Sequence, residues 1–261
     1  MIHEPGADGH DGKLVLPGRR FSRFSRFPLP EGSFMPLSLV LFDCDGVLVD
    51  SEIISAKVDS KMLKEVGYDI SPTEIAERFA GLTQDRIAEL LQEEAGIRLP
   101  EDYNARQKTA LDERLAAEVE AIAGVHEMLD RIDLPRAICS NSSTERLKLM
   151  LERVKLWDRF RPYVFAAREV GVGKTKPAPD VYLHGCREFD AAPGQTVVLE
   201  DSVHGVAAGV AAGCRVVGFV GGAHSYPGHA DALSDAGAET VIRRLSEFPA
   251  VVEAFAEWER A

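Results

Sequence analysis

A short apolar run that ends in two carboxylates constrains the fold of this chain more than any other stretch. The four residues Leu39–Phe42 are large and apolar, which is typical of a strand buried on both faces of a parallel sheet. Asp43 and Asp45 follow at once, and residues two apart in an extended chain share a face. Because ligands bind at the carboxyl ends of parallel strands, both acids are expected to face a crevice. Gly46 then permits a tight turn away from it.

The two neighbouring acids repel each other unless a divalent cation or a shared proton lies between them. A calcium loop of the helix-loop-helix type is disfavoured, because no further acidic ligands and no terminal Glu follow at the spacing that such a loop requires. A solvated, Asp-rich turn is the alternative that this stretch alone leaves open. The elements downstream are therefore needed to decide between a turn and a catalytic site.

The remaining chain predicts an α/β fold with a doubly wound parallel sheet. From Pro135 onward apolar strands alternate with helices, whereas residues 52–119 contain helical patterns and nothing typical of a strand. The sequence therefore predicts a small α-helical cap inserted directly after the first strand. The expected domains are a disordered extension at 1–34, an α/β core formed by 35–51 and 120–261, and the helical cap at 52–119.

Charge and cysteine usage narrow the class of partner. The net charge of -12 disfavours nucleic acid, whose phosphates require clustered Lys and Arg. The four cysteines are scattered without CxxC spacing, so that neither a zinc site nor a disulfide framework is indicated, and a reducing, cytoplasmic location is expected. No apolar run approaches the roughly 20 residues that span a bilayer, so a membrane partner is not expected. Oligomeric state is left open.

Polar groups follow three predicted strands, and another lies in a loop, in positions that suit phosphate chemistry. Ser140 and Asn141 end a strand before a helix, where hydroxyl and backbone N–H groups can bind an anion or simply cap the helix. Lys176 lies in a loop stiffened by two prolines and can present a point charge to a phosphoryl group, although most lysines are surface residues. Glu200 and Asp201 offer oxygen ligands to Mg2+, or a helix cap.

Together these four elements resemble the haloacid dehalogenase superfamily, from Leu39 to the last strand. Its four motifs correspond to Asp43-Cys44-Asp45-Gly46-Val47, Ser140-Asn141, Lys176-Pro177-Ala178-Pro179-Asp180 and Glu200-Asp201-Ser202. The helices at 52–119 are similar to the cap that one subgroup, which includes beta-phosphoglucomutase-like and phosphoglycolate phosphatase-like proteins, carries between the first two motifs. The resemblance implies a Mg2+-dependent phosphatase that acts on a small phosphorylated metabolite of the sugar or sugar-acid class.

By the same resemblance, Asp43 is the nucleophile that forms an aspartyl-phosphate, and Asp45 is the general acid and base. Ser140, Asn141 and Lys176 would bind the phosphoryl group. The implied ligands of Mg2+ are Asp43, the backbone carbonyl of Asp45, and Asp201, with Glu200 as an additional one.

Two alternatives to hydrolysis follow from the same motifs. A hexose-phosphate mutase of the beta-phosphoglucomutase type shares them, but such mutases carry a His where this chain has Ser55 and an Arg where it has Gln84. A non-catalytic phosphate-binding module that retained the fold is the other alternative. The intact acids at 43, 45 and 201, together with Lys176, count against it. The cap loop at 80–83 is expected to contribute to substrate selection.

Overall fold

Six parallel strands form one sheet in the order β3-β2-β1-β4-β5-β6 in the computed structural model, which describes residues 36–79 and 84–258. Each neighbouring pair of strands runs parallel. The strands are β1 (Leu39–Phe42), β2 (Arg136–Ser140), β3 (Val164–Ala166), β4 (Thr196–Glu200), β5 (Arg215–Phe219) and β6 (Thr240–Ile242).

Helices connect the strands and account for most of the rest of the described chain. Five of them lie between β1 and β2 in sequence, and the others alternate with the later strands. The helices are α1 (Glu52–Glu65), α2 (Pro72–Phe79), α3 (Gln84–Ala95), α4 (Tyr103–Glu118), α5 (Val125–Asp130), α6 (Thr144–Arg153), α7 (Trp157–Phe160), α8 (Asp180–Glu188), α9 (Val203–Ala211), α10 (His229–Asp235) and α11 (Phe248–Trp258).

The central strand β1 is apolar throughout because both of its faces are covered. Val40 and Phe42 belong to one apolar cluster, whereas Leu39 and Leu41 belong to a second cluster on the opposite face. All four side chains are fully buried. Successive side chains of a strand point to opposite faces of the sheet, which produces this division. Helices cover both faces, as in other parallel sheets. The predicted α/β, doubly wound fold is confirmed.

The strand order places the carboxyl ends of β1 and β4 side by side at the point where the winding reverses. From β1 the chain proceeds outward through β2 to β3, and it then returns to place β4 on the other side of β1. Open α/β sheets bind ligands in the crevice at such a reversal. The residues that follow β1 and β4 are Asp43 and Asp201, so the topology brings two segments far apart in sequence to one edge.

Among the five helices between β1 and β2, α1 packs against α2 and α4, and α4 also contacts α6. An ion pair links these two helices, with Arg146 Nη2 of α6 2.7 Å from Asp112 Oδ1 of α4. The chain enters and leaves the helical segment at one place, where the Asp50 N–H donates to the carbonyl of Glu120 (2.9 Å). The division of the chain into a core and a separate cap stays a prediction.

Several predicted boundaries differ from the structure by one to three residues. The sequence predicts helices that begin at Pro100 and at Pro179, whereas in the structure these helices begin at Tyr103 and Asp180. Three short helices, α5, α7 and α10, were not predicted. Each spans fewer than two turns, which is too short for a helical pattern of apolar residues to repeat. The proposed extension at 1–34 and the loop at 80–83 lie outside the described residues. None of the described helices is long and apolar enough to cross a membrane.

Candidate active site

The candidate site lies where β1, β2 and β4 end, and the loop that carries Lys176 meets them there. The Lys176 Nζ donates to Asp43 Oδ1 (2.5 Å) and to Glu200 Oε1 (2.6 Å). The Lys176 side chain is only 3% exposed, so that this amine is not a surface lysine. Burial disfavours its charge, but Asp43 and Glu200 overcome that effect and raise the pKa of Lys176 above its usual value. Lys176 therefore remains positively charged.

Glu200 is fully buried and accepts hydrogen bonds at both carboxylate oxygens. Besides Lys176, the hydroxyl of Tyr182 donates to its Oε1 (2.7 Å). Its Oε2 accepts from the backbone N–H of Asp201 (3.0 Å) and from both the N–H and the hydroxyl of Ser202 (3.1 Å each). Gly205 makes room for this carboxylate, because a Cβ there would lie 1.8 Å from Glu200 Oε1. The geometry fixes Glu200 as an anchor for the Lys176 amine.

Asp45 is held by three hydroxyl groups from two parts of the chain. Its Oδ1 accepts from Ser51 (2.7 Å), and its Oδ2 accepts from Ser140 (3.1 Å) and Ser142 (2.9 Å). The Ser51 hydroxyl makes no cap hydrogen bond to α1, although Ser51 directly precedes the first residue of that helix. Three donors of this kind fix the rotamer of one carboxylate, which a general acid and base requires.

Asn141 positions the lysine loop through the main chain. Its Oδ1 accepts from the backbone N–H of Lys176 (2.9 Å). The capping role that the sequence left open belongs to Ser143 at α6 and to Ser202 at α9, whose hydroxyls accept from the N–H groups of Arg146 and Gly205 respectively. Ser140 and Asn141 thus lie at the site and contact its acid and its lysine loop. Their binding of phosphate stays a prediction.

Three buried acids form the group of side chains best suited to a cation. Asp43, Glu200 and Asp201 each offer a carboxylate oxygen, and these atoms lie within 4.8 Å of one another. Burial raises the pKa of Asp43 well above its usual value; Lys176 opposes this shift, and Glu200 adds to it. Burial likewise raises the pKa of Asp201. Closely spaced buried acids with only oxygen donors fit a hard divalent cation such as Mg2+, which would offset their repulsion.

Two histidines that sequence reasoning missed contact Asp201. The His224 Nε2 lies 2.9 Å from Asp201 Oδ2, and the His229 Nε2 lies 2.7 Å from the backbone carbonyl of Asp201. Burial alone would lower the pKa of His224, but the hydrogen bond and charge of Asp201 raise that pKa to about 9. The loop after β5 carries the sequence Gly221-Gly222-Ala223-His224, and its position after a strand end was the available signal.

The structure brings together every residue that the sequence predicted for the site. They are Asp43, Asp45, Ser140, Asn141, Lys176, Glu200 and Asp201. The supporting side chains were not predicted from the sequence: they are Ser51, Ser142, Tyr182, His224 and His229. The chemical roles of these residues stay predictions.

Comparison with known proteins agrees with the motifs. A family model described as haloacid dehalogenase-like hydrolase matches residues 40–219. The chain is 28% identical over 196 residues to a 6-phosphogluconate phosphatase of Escherichia coli, covering 73% of this chain and 86% of that protein.

Two solved structures are similar over most of the chain. A haloacid dehalogenase-like protein of unknown function from Agrobacterium tumefaciens is 50% identical with a TM-score of 0.82, over 85% of this chain and all of that one. A HAD family hydrolase from Deinococcus radiodurans, solved with bound phosphate and sodium, is 36% identical with a TM-score of 0.73. That match covers 85% of this chain and 97% of that one.

Proposed function

The chain belongs to the haloacid dehalogenase-like hydrolase family, and we propose that it hydrolyses a small phosphate monoester of the sugar or sugar-acid class. The observation that carries this proposal is the convergence of Lys176 Nζ, 2.5 Å from Asp43 Oδ1, with an Asp45 that three hydroxyls hold in place. The 6-phosphogluconate phosphatase relative supports a phosphorylated sugar acid as the substrate class.

Asp43 is the proposed nucleophile. Its Oδ1 accepts from Lys176, whereas no hydrogen bond from the described residues reaches Oδ2, which leaves that oxygen available for attack. A bond forms between Asp43 Oδ2 and phosphorus while the bond from phosphorus to the ester oxygen breaks, giving an aspartyl-phosphate and an alcohol. Attack by Asp43 and later hydrolysis of the aspartyl-phosphate are two easier steps, which take the place of one difficult direct attack by water on the ester.

Asp45 is the proposed proton carrier for both steps. It donates a proton to the departing ester oxygen, and it then takes a proton from the water that attacks the aspartyl-phosphate. Phosphate leaves, and Asp43 returns to its starting form. Ser51, Ser140 and Ser142 keep the Asp45 carboxyl in one orientation through this exchange, and Lys176 supplies a fixed positive charge toward the transferring group.

The residues that would hold Mg2+ are Asp43, Asp201 and the backbone carbonyl of Asp45, with Glu200 beside them. When bound, a divalent cation supplies positive charge that neutralises the phosphoryl oxygens and the buried carboxylates. The buried cluster of Asp43, Glu200 and Asp201 supports this assignment. The single Lys176 amine pairs with only two of these three acids, so it cannot neutralise all of their charge.

Phosphate release from an aryl phosphate, with and without Mg2+, tests the proposal. Wild type should release phosphate only when Mg2+ is present, and Asp43→Asn should release none while its unfolding curve stays close to that of wild type. Asp158→Asn, which changes a carboxylate 79% exposed, is the matched control and should retain full activity. Equal activity in Asp43→Asn and wild type would refute the assigned nucleophile.

The aspartyl-phosphate can be tested separately with Asp45→Asn. An aryl leaving group departs without much help from an acid, so that the first step should continue while the second slows. Intact-protein mass spectrometry should then detect a chain that carries one phosphoryl group, and the group should be absent from the Asp43→Asn/Asp45→Asn double variant. A phosphorylated double variant would place the covalent group elsewhere.

A panel of sugar and sugar-acid phosphates then separates hydrolysis from phosphoryl transfer between positions of one sugar. Hydrolysis releases inorganic phosphate in equal amount to the dephosphorylated sugar, whereas a mutase returns an isomeric sugar phosphate. Ser55 of α1 stands where the mutases carry a His, which favours hydrolysis. Recovery of isomeric sugar phosphate without phosphate release would favour the mutase.

A further inference from the structure

The imidazole of His224 lies in a buried niche beside Asp201. Its side chain is 8% exposed, and its Nε2 lies 2.9 Å from Asp201 Oδ2. Because a carboxylate oxygen only accepts, Nε2 carries the proton and donates to Asp201. The other ring nitrogen, Nδ1, is buried and has no hydrogen-bond partner among the described residues. The ring is therefore held on the polar side by Asp201 alone.

Two glycines make the niche wide enough for this ring. A Cβ at Gly222 would lie 2.6 Å from His224 Cε1 and 2.7 Å from its Nδ1. A Cβ at Gly46, in the turn directly after Asp45, would lie 2.8 Å from the same Cε1 and 1.8 Å from Asp201 Oδ2. Real Cβ atoms do not approach other heavy atoms so closely, so both turns have to be glycine for the His224–Asp201 contact to form.

The loop that carries His224 is fixed at further points. The N–H of Ala223 donates to Asp50 Oδ1 (3.2 Å), which ties the loop to the segment that leads into α1. The His229 Nε2 contacts the backbone carbonyl of Asp201, and the His229 ring stacks on the Tyr226 ring with their centroids 4.6 Å apart. Asp201 is thus restrained at its backbone by one histidine and at its carboxylate by another.

We propose that His224 is a positioning residue, whose hydrogen bond to Asp201 Oδ2 turns the carboxylate so that its other oxygen is presented to a divalent cation. The proposal rests on the cation site in the function proposed above. Carboxylates that bind metals are themselves commonly hydrogen-bonded, and loss of such a partner typically weakens metal affinity by about 10- to 100-fold. His224 touches neither the phosphoryl group nor water in this role and acts only through Asp201.

Isothermal titration of Mg2+ into the protein without substrate measures the effect directly. His224→Ala should bind Mg2+ about 10- to 100-fold more weakly than wild type. His224→Gln should recover most of the affinity, because its side-chain amide donates from a position close to that of Nε2. His224→Asn should not recover it, because its shorter amide ends near the position of Nδ1. The control is His126→Ala, which removes a half-buried imidazole from α5 and should leave the affinity unchanged.

Turnover at increasing Mg2+ supplies a second readout. A positioning role predicts that His224→Ala regains a near-normal kcat at saturating Mg2+ with an unchanged KM for the phosphate ester. Melting curves without metal show whether each variant folds. If His224→Ala does not fold, the comparison of His224→Gln with His224→Asn still tests the positioning role.

The outcomes distinguish this inference from the function on which it rests. If wild type binds no Mg2+, the cation site itself is refuted, and the role of His224 with it. If wild type binds Mg2+ and His224→Ala binds it equally well, or if Gln and Asn weaken binding to the same extent, only the role of His224 is overturned.

Discussion

Replacing Lys176 by Met should destabilise the fold at neutral pH, and the contacts of the lost amine determine by how much. Removing one partner of a buried ion pair costs about 3–5 kcal/mol, because the remaining charge is left uncompensated. Glu200 retains donors from Tyr182, Asp201 and Ser202, whereas Asp43 Oδ1 loses the donor shown for it. The cost falls mainly on Asp43, so we expect about 3 kcal/mol, the lower end of that range.

The loss should shrink as the solution is acidified. Burial raises the pKa of Asp43, and Lys176 is the group that opposes this shift, so that the variant should have a still higher pKa there. A carboxyl with a higher pKa in the folded than in the unfolded chain makes the folded state bind more protons. The free energy of unfolding then rises as pH falls. The difference in stability between variant and wild type should therefore narrow as the pH falls through the raised pKa of Asp43 in the folded variant.

Urea unfolding at several pH values measures both effects. Lys174→Met is the matched control, since Lys174 is an exposed lysine two residues away, and it should change the free energy of unfolding by no more than about 0.5 kcal/mol. Adding Asp43→Asn to Lys176→Met should restore part of the stability, because the uncompensated charge is removed. A loss below about 1 kcal/mol, or a loss independent of pH, would refute the reasoning.

Three further substitutions test the surroundings of the site. Tyr182→Phe removes a buried donor to Glu200 and should lower the free energy of unfolding by about 1.5–3 kcal/mol in urea titrations, and an unchanged midpoint would contradict that contact. Gly46→Ala should abolish Mg2+ binding in calorimetry, because the added Cβ would lie 1.8 Å from Asp201 Oδ2 and the backbone φ of +75° disfavours other residues; normal binding would contradict this geometry. Arg146→Gln removes the ion pair between α4 and α6 and should raise KM for the ester more than it lowers kcat if the cap closes over the site, whereas identical kinetics would argue against closure.

The sequence predicted the elements whose patterns are local or repeat regularly. The apolar run before Asp43 indicated a buried central strand, and parallel topology then placed Ser140 and Asp201 at the same edge. Lys176 was placed there by its resemblance to a family motif, because a single lysine in a loop carries no pattern of its own.

The supporting residues were not predictable, because their roles depend on tertiary contacts. Tyr182 lies at an ordinary apolar position of α8, and only the packing of α8 against the sheet brings its hydroxyl to Glu200. Ser51 has the sequence position of a helix cap but donates to Asp45 instead. His224 follows β5, and its contact with Asp201 requires the adjacent strands to be in place.

The central position of β1 sets the order in which the protein can become active during its synthesis. The first of the described strands to leave the ribosome, β1, pairs with β4, and the contact between Ser38 and Gln195 beside that pair spans 157 positions of the chain. Until β4 and the lysine loop emerge, Asp43 is carried by a nascent chain that lacks both the Lys176 amine and the two other acids of the buried cluster, Glu200 and Asp201. In the proposed mechanism, activity would therefore arise late in assembly, and a polypeptide interrupted before β4 would leave Asp43 without the Lys176 amine and without Glu200 and Asp201 beside it.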